Sequence, residues 1–371
     1  MSATLPVLNY TIDLNDPIPG VKHVVAAFCP SLPTDHLDLK VNVLSGGYMN
    51  HMYKIFAATD EHGESVIVRI NADIVGSLFD REEEFRLVFY MYQKGMYGKI
   101  YGKFQNGVVY EFIKGRTLTL ADIQEPHIAR LLAQKFAEFH AISRDFPGVK
   151  TPTHPRDFCL PILNRLPIKY KDPQATLLAY KLFPDVEELQ EEFQYLLNHP
   201  SMQNIYADQP VVFCHHDLIP NNIIFDEKTD TVHIIDYEFA ASGYQIEDIG
   251  THFSEFIGMD VNTMDASLLP SQEFQLKWIR IYLETWNEFT ADGRAISDTE
   301  VWNFYVNASR YSLLKNWFII CFVLASEEHN PDYIAQAKRL KWDSFEYAKK
   351  KLDIYLQYRD KILALELLPS L

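Results

Sequence analysis

In this 371-residue chain, the side chains whose types and spacing could do chemistry are concentrated in VVFCHHDLIPNNIIFDEKTDTVHIIDYEF, residues 211–239. Asp217 closes a His-His-Asp run, Asn222 follows in the same loop-like stretch, and Asp236 ends an apolar, strand-like run. Phosphoryl transfer from a nucleotide needs a carboxylate to orient the attacking hydroxyl and accept its proton. It also needs oxygen ligands for the Mg²⁺ that bridges the phosphates. Asp217 suits the first task, and Asn222 with Asp236 suits the second. Any one of them alone reads as a turn residue or a strand-end cap. All three at this spacing, joined by strand patterns, point to a transferase that uses ATP and Mg²⁺.

Upstream residues supply what such a site also needs. Ser45, Gly46 and Gly47 lie between two strand-like runs, with Asn50 closing the SGGYMN segment. Glycines there would let backbone N–H groups approach phosphates, although a Gly-Gly hairpin turn is the commoner meaning of such a pair. Arg69, at the end of VIVRI, is placed to pair with nucleotide phosphates and with an acidic residue on the following helix, for which Glu84 is the candidate. Glu111 to Ile113 would present backbone groups to an adenine. His140 and His252 sit on apolar helical faces and read as packed, hydrogen-bonded core histidines, with His140 supporting the catalytic loop. No His/Cys/Asp cluster has zinc spacing, and neither G-x-S-x-G nor G-x-G-x-x-G occurs.

The elements that position these residues follow from periodicity. Residues 41–70 read as three short strands with a turn at His62-Gly63. Residues 80–94 read as a helix with an acidic first turn. Runs at 99–104 and 108–113 flank Asn106-Gly107, a strong hairpin signal. Helical spacing takes over at 127–142 and persists, interrupted by strand-like runs at 211–213, 223–225 and 232–235, with long helical patterns at 271–290, 299–325 and 332–364. The expected fold is α+β: a bilobal, protein-kinase-like arrangement. A small antiparallel sheet with one helix forms an N-lobe over 41–114, and a large, mostly helical C-lobe over 115–371 carries the catalytic loop and acceptor site. Residues 1–40 read as an extended or short-helical arm.

Composition narrows the function classes. Lys and Arg number 34 against 50 Asp and Glu, a net charge of −16 that disfavours a basic face for nucleic acid and would attract a cationic small molecule. The four cysteines form no C-x-x-C pair and read as reduced thiols, so a cytoplasmic protein is expected. The N-terminus lacks a basic segment followed by an apolar run, and no apolar run is long enough to span a bilayer.

HHDLIPNNI, IDYEF and DIGTHFSEF (residues 248–256), together with YEFIKGRTL (110–118), VRI (68–70) and residues 80–102, resemble the choline/ethanolamine kinases within the aminoglycoside-phosphotransferase-like kinase superfamily. The resemblance covers roughly residues 40–357. It implies a cytoplasmic enzyme that transfers the ATP γ-phosphate to an amino alcohol on the way to phospholipids. By position, it implies Asp217 as base, Asn222 and Asp236 as Mg²⁺ ligands, Arg69 as phosphate-binding cation with Glu84 as its partner, and Glu255 near the substrate ammonium. Two departures stand out: His216 replaces the family's usual Asn, and Met49 stands where choline kinases often have Ser. Family members are often dimers, for which the N-terminal arm is a candidate contact.

A quaternary ammonium is best held by aromatic faces, whereas a primary ammonium needs acceptors. Choline kinases resemble HFLWGLW on a late helix, and the corresponding run here is ASRYSLLKNWF, with one tryptophan and with Asn316 as an acceptor. Ethanolamine is therefore the favoured substrate and choline the alternative, with Tyr244 and Trp317 as candidate ring faces. A protein kinase is disfavoured by Tyr-Glu after Asp236 and by the missing A-P-E. An antibiotic phosphotransferase shares the core but not DIGTHFSEF. A binding-only pseudokinase would have lost the base or a metal ligand, and all three residues are present.

Overall fold

A computed structural model describes residues 5–33, 38–44, 50–60, 63–71, 81–183, 185–207, 209–290, 293–329 and 343–369. Ser45, Gly46, Gly47, Met49 and residues 332–342 of the last helical pattern lie outside the described residues. The chain divides into two compact units, Met1–Leu78 with Val88–Lys114 and Phe79–Leu87 with Gly115–Leu371.

In the first unit β1 (Val7–Leu8), α1 (Pro17–Phe28), β2 (Leu39–Leu44), β3 (Asn50–Ala57), β4 (Ser65–Asn71), β5 (Ile100–Phe104) and β6 (Gly107–Glu111) form a six-stranded sheet with one helix on it. The strand order is β1-β5-β6-β4-β3-β2, antiparallel except for the β1–β5 pair. Central strand β4 (SVIVRIN) is apolar on both faces, and Val66, Val68 and Ile70 are fully buried. The β5–β6 hairpin turns at Gln105-Asn106, one residue before the expected Asn106-Gly107, and Gly107 opens β6 opposite Phe104, where a Cβ would meet the Arg69 carbonyl at 2.0 Å.

The expected five-stranded sheet thus gains β1, and the N-terminal segment is part of the core. Ile12, Val21, Val24, Val25, Cys29 and Leu32 pack against Ile55, Val68 and Phe104. The Asn106 side chain ties that segment down, donating to the Ile12 carbonyl at 2.9 Å and accepting from its N–H at 3.0 Å. A two-residue strand that pairs across most of the unit leaves no local pattern to read.

α2 (Arg81–Gln93) is shared between the units. The second unit contains β7 (Arg116–Thr117), α3 (Pro126–Ser143), α4 (Pro155–Leu163), α5 (Pro173–Leu182), α6 (Val186–Asn198), β8 (Val211–Cys214), β9 (Ile223–Asp226), β10 (Thr231–Ile234) and β11 (Ala241–Tyr244). It continues with α7 (Gln245–Ser254), α8 (Gln272–Thr290), α9 (Asp298–His329) and α10 (Ser344–Leu363). β10, β9 and β7 form one small sheet, and β11 with β8 another. Proline in the first turn and a capping side chain start several of these helices: Glu125 accepts from Ile128 N–H before α3, and Asp172 from Gln174 N–H before α5. All ten residues of α7 are buried. Gly250 makes this possible, because a Cβ there would lie 2.4 Å from the Ala308 carbonyl of α9. The four cysteines are free and buried. Among the described residues, no helix is long and apolar enough to cross a membrane.

Candidate active site

The site is the loop between β8 and β9, residues 215–222. β8 is an apolar strand paired antiparallel with β11, and the chain leaves it through two histidines. His216 has φ 62° and Asp236 φ 64°, a left-handed backbone that non-glycine residues adopt only when their surroundings enforce it. For the loop, the enforcing group is Asp248 of α7. Its carboxylate accepts from the backbone N–H groups of both His215 (2.7 Å) and His216 (2.6 Å), and from His140 Nε2 (2.9 Å). Burial alone would raise the Asp248 pKa, but the His140 hydrogen bond and the surrounding histidines hold it well below the usual carboxylate range.

His140 also meets the Tyr282 hydroxyl at 2.6 Å, and His252 Nδ1 donates to the Leu218 carbonyl at 3.0 Å. Both histidines are fully buried. Both are packed, hydrogen-bonded supports of the 215–222 loop, His140 through Asp248 and His252 directly at Leu218. His215 Nε2 donates to the Ile235 carbonyl at 2.9 Å, and its Nδ1 accepts from the Asp217 N–H at 3.3 Å. That pattern requires a neutral ring, in keeping with burial, which pulls the His215 pKa down to about 4. One neutral imidazole thus links Asp217 to the residue before Asp236. Ile235 N–H in turn donates to the Asn222 carbonyl at 2.9 Å.

Asn222 Nδ2 donates to both the backbone carbonyl (2.9 Å) and Oδ2 (2.7 Å) of Asp217. Asp217 Oδ1 has no hydrogen-bond partner among the described residues, and Asp217 is only half-buried. An oxygen is therefore open to an incoming hydroxyl. Burial pushes the Asp217 pKa up to about 6; Lys315 opposes the rise, while Glu255 and Glu238 add to it. A carboxylate in that range is ionised at neutral pH, yet basic enough to take a proton.

The donor set also fits a hard divalent cation. Both Nδ2 protons of Asn222 are spent on Asp217, which leaves its amide oxygen as the lone-pair face, and Asp236 supplies a second oxygen-bearing side chain. Residues Asn222 and Asp236 would hold the ion.

Other expected site residues are distributed as follows. In the first unit, Arg69 is half-buried on β4, Asn50 opens β3, and Glu111 caps the Lys99 N–H at 3.0 Å through its side chain, with Ile113 just beyond β6. In the second unit, Glu84 is 2% exposed and pairs with Arg81 at 3.0 Å, while Arg81 also reaches Glu238 at 3.2 Å. Glu255 is buried and pairs with the fully buried Lys351 at 2.8 Å, with Tyr347 hydroxyl at 3.4 Å. Tyr244 stacks on Tyr206 with centroids 4.6 Å apart. Trp317 is 0% exposed, its ring against Phe193 and Tyr355, so as placed it is core. Asn316 lines a cleft of about 220 Å³ together with Ser254, Ser312 and Tyr358, and none of the loop residues 215–222 borders it.

Sequence reasoning missed Asp248, Glu247 and Lys315. The signal for Asp248 is an acid inside a wholly buried helix, which must be paired. Glu247 takes His216 Nε2 at 2.9 Å, the position where His replaces the family's usual Asn.

The choline/ethanolamine kinase family model matches residues 41–356. Ethanolamine kinase 2 of Mus musculus is 30% identical over 365 residues, covering 98% of this chain and 87% of the relative. The ethanolamine kinase of Drosophila melanogaster is 32% identical over 279 residues, 73% of this chain and 52% of that protein. Among solved structures, an ethanolamine kinase of Plasmodium vivax has a TM-score of 0.71 at 21% identity, covering 95% of this chain and 93% of that one, so the fold is kinase-like. These matches make the chain a kinase that uses a nucleotide, and it belongs to the choline/ethanolamine kinase family.

Proposed function

We propose that the chain transfers the γ-phosphoryl group of ATP to the hydroxyl of ethanolamine, giving phosphoethanolamine for phosphatidylethanolamine synthesis. The observation that carries this reading is Asp217: one oxygen fixed by Asn222, the other open, and a pKa near that of a working base. Its open oxygen takes the hydroxyl proton as the substrate oxygen approaches the γ-phosphorus. Asn222 and Asp236 would hold Mg²⁺, which supplies charge neutralisation across the phosphates. Arg69, Ser45, Gly46, Gly47 and Asn50 would bind the triphosphate. Glu111 and Ile113 would meet the adenine.

Glu255 and Tyr244 would face the ammonium. Enclosure of Trp317 removes one of the two ring faces that a quaternary ammonium would use, which favours a primary amine held by acceptors. The relatives named ethanolamine kinase point the same way. Four free, buried thiols fit a reducing compartment, and we place the reaction in the cytoplasm.

The test is ADP release with MgATP against ethanolamine, its N-methyl and N,N-dimethyl derivatives, and choline. Under this reading kcat/KM falls with each added methyl. A rise towards choline would make the chain a choline kinase, and silence with every amine despite MgATP binding would make it a binding-only pseudokinase.

A further inference from the structure

α9 brings Lys315 to the catalytic loop from almost a hundred residues away. Its Nζ donates to the His216 carbonyl at 2.8 Å, in the peptide that leads into Asp217. The ammonium also lies 5.1 Å from the centroid of the Phe318 ring. The residue is 5% exposed. A lysine ammonium carries three N–H donors, and one of them meets an acceptor among the described residues. No carboxylate lies within ion-pair distance of it there. After burial, which pulls its pKa down, the charges it feels most are those of Asp217 and Glu255. A buried cation with spare donors is costly unless a further partner meets them.

The loop itself, Asp-Leu-Ile-Pro-Asn-Asn from Asp217 to Asn222, contains no cation. The group that must pass Asp217 during the reaction is a phosphoryl group with negative charge on its equatorial oxygens. We infer that Lys315 is a catalytic residue whose two spare N–H groups donate to oxygens of the transferring phosphoryl group, on the acceptor side beside Asp217. This rests on the phosphotransferase reading above but not on the identity of the amine. In the step, the acceptor oxygen bonds to the γ-phosphorus as the bond to the β,γ-bridging oxygen breaks. The bridging oxygen leaves with the electron pair as part of ADP, the hydroxyl proton goes to Asp217, and Lys315 keeps its protons throughout.

The competing role is a tether that merely props the His216 carbonyl. Lys315→Met and Lys315→Arg separate the two. Removing a donor that acts in the transition state should lower kcat about 100-fold in Lys315→Met. KM for MgATP and for the amine should stay within about threefold, and Lys315→Arg should recover at least about tenfold of the loss. Calorimetry with inorganic phosphate as probe, in the presence of saturating MgADP, gives a readout free of the amine. Lys315→Met should weaken phosphate binding about tenfold or more while MgADP affinity is unchanged, the loss of a charge-assisted contact. The inference is overturned by unchanged phosphate binding, by a kcat in Lys315→Met within about threefold of wild type, or by MgADP affinity lost together with activity. If wild-type protein turns over no amino alcohol, the proposed function fails, and the phosphate titration alone decides the role of Lys315.

Discussion

Around Val68 the first unit buries Val66, Ile70, Ile55, Val24 and Phe104, side chains that ask only for contact. Around Asp248 the second unit buries His140, His215, His252, Glu247 and Lys315, each with a directed partner. The contrast reflects two kinds of force. Apolar burial is non-directional and scales with area, so the sheet can hold its shape through many volume-conserving changes. A buried polar atom stabilises one arrangement and is costly in any other. The second unit uses that asymmetry to hold two left-handed residues, His216 and Asp236, where a purely apolar core would let the backbone relax.

Replacements on the two sides should therefore differ in size and in kind. The largest effect is expected for Asp248→Ala, which strands two backbone N–H groups and His140 in a buried site. We expect a loss of ~3–5 kcal/mol in urea unfolding. A loss no greater than that of a conservative core change would erase the contrast. Asp217→Asn should lower kcat by at least about 100-fold while leaving MgATP binding and melting temperature near wild type, because Asn222 can still donate to a side-chain oxygen. Unchanged turnover would remove Asp217 from the mechanism.

Ile55→Val in the first unit should cost only about 1 kcal/mol and leave kcat per folded molecule unchanged. A large loss of kcat there would mean that the apolar core also sets the chemistry. His216→Asn should have the smallest effect and a pH signature. Burial acts to lower the His216 pKa, but the hydrogen bond and charge of Glu247 raise it above the ordinary 6.5. The pair therefore stabilises the fold fully below that pH, and its contribution is lost as pH rises through the raised value. The melting-temperature advantage of wild type over the variant should shrink as pH rises above the ordinary histidine value of 6.5, and a difference that stays constant with pH would show that His216 does not titrate against Glu247.

Much of this was legible in the residues. Asp217, Asn222 and Asp236 lie in one continuous stretch, so their spacing survives folding. The β5–β6 hairpin and the long amphipathic helices carry their own local signals. β1 and β11 escaped notice because they are short and owe their existence to distant partners, Lys103–Phe104 and Val211–Cys214. Trp317 could be placed on a helix but not on a face: an aromatic residue in a helix, with Lys315-Asn316 before it and an apolar run after it, looks the same whether it lines a pocket or a core. Here Phe193 and Tyr355 enclose it.

What the sequence by itself determined is the set of groups available to this protein: two carboxylates and a carboxamide within twenty residues, a net charge of −16, and the alternation of strands and helices around them. Those properties belong to residue types and to short-range spacing. Only the tertiary structure decided which groups act on Asp217 and its loop, because Asp248, Lys315 and Glu255 come from helices far along the chain. Their effect on Asp217 depends on burial and on distances of a few ångströms, and no local pattern encodes a distance across a core.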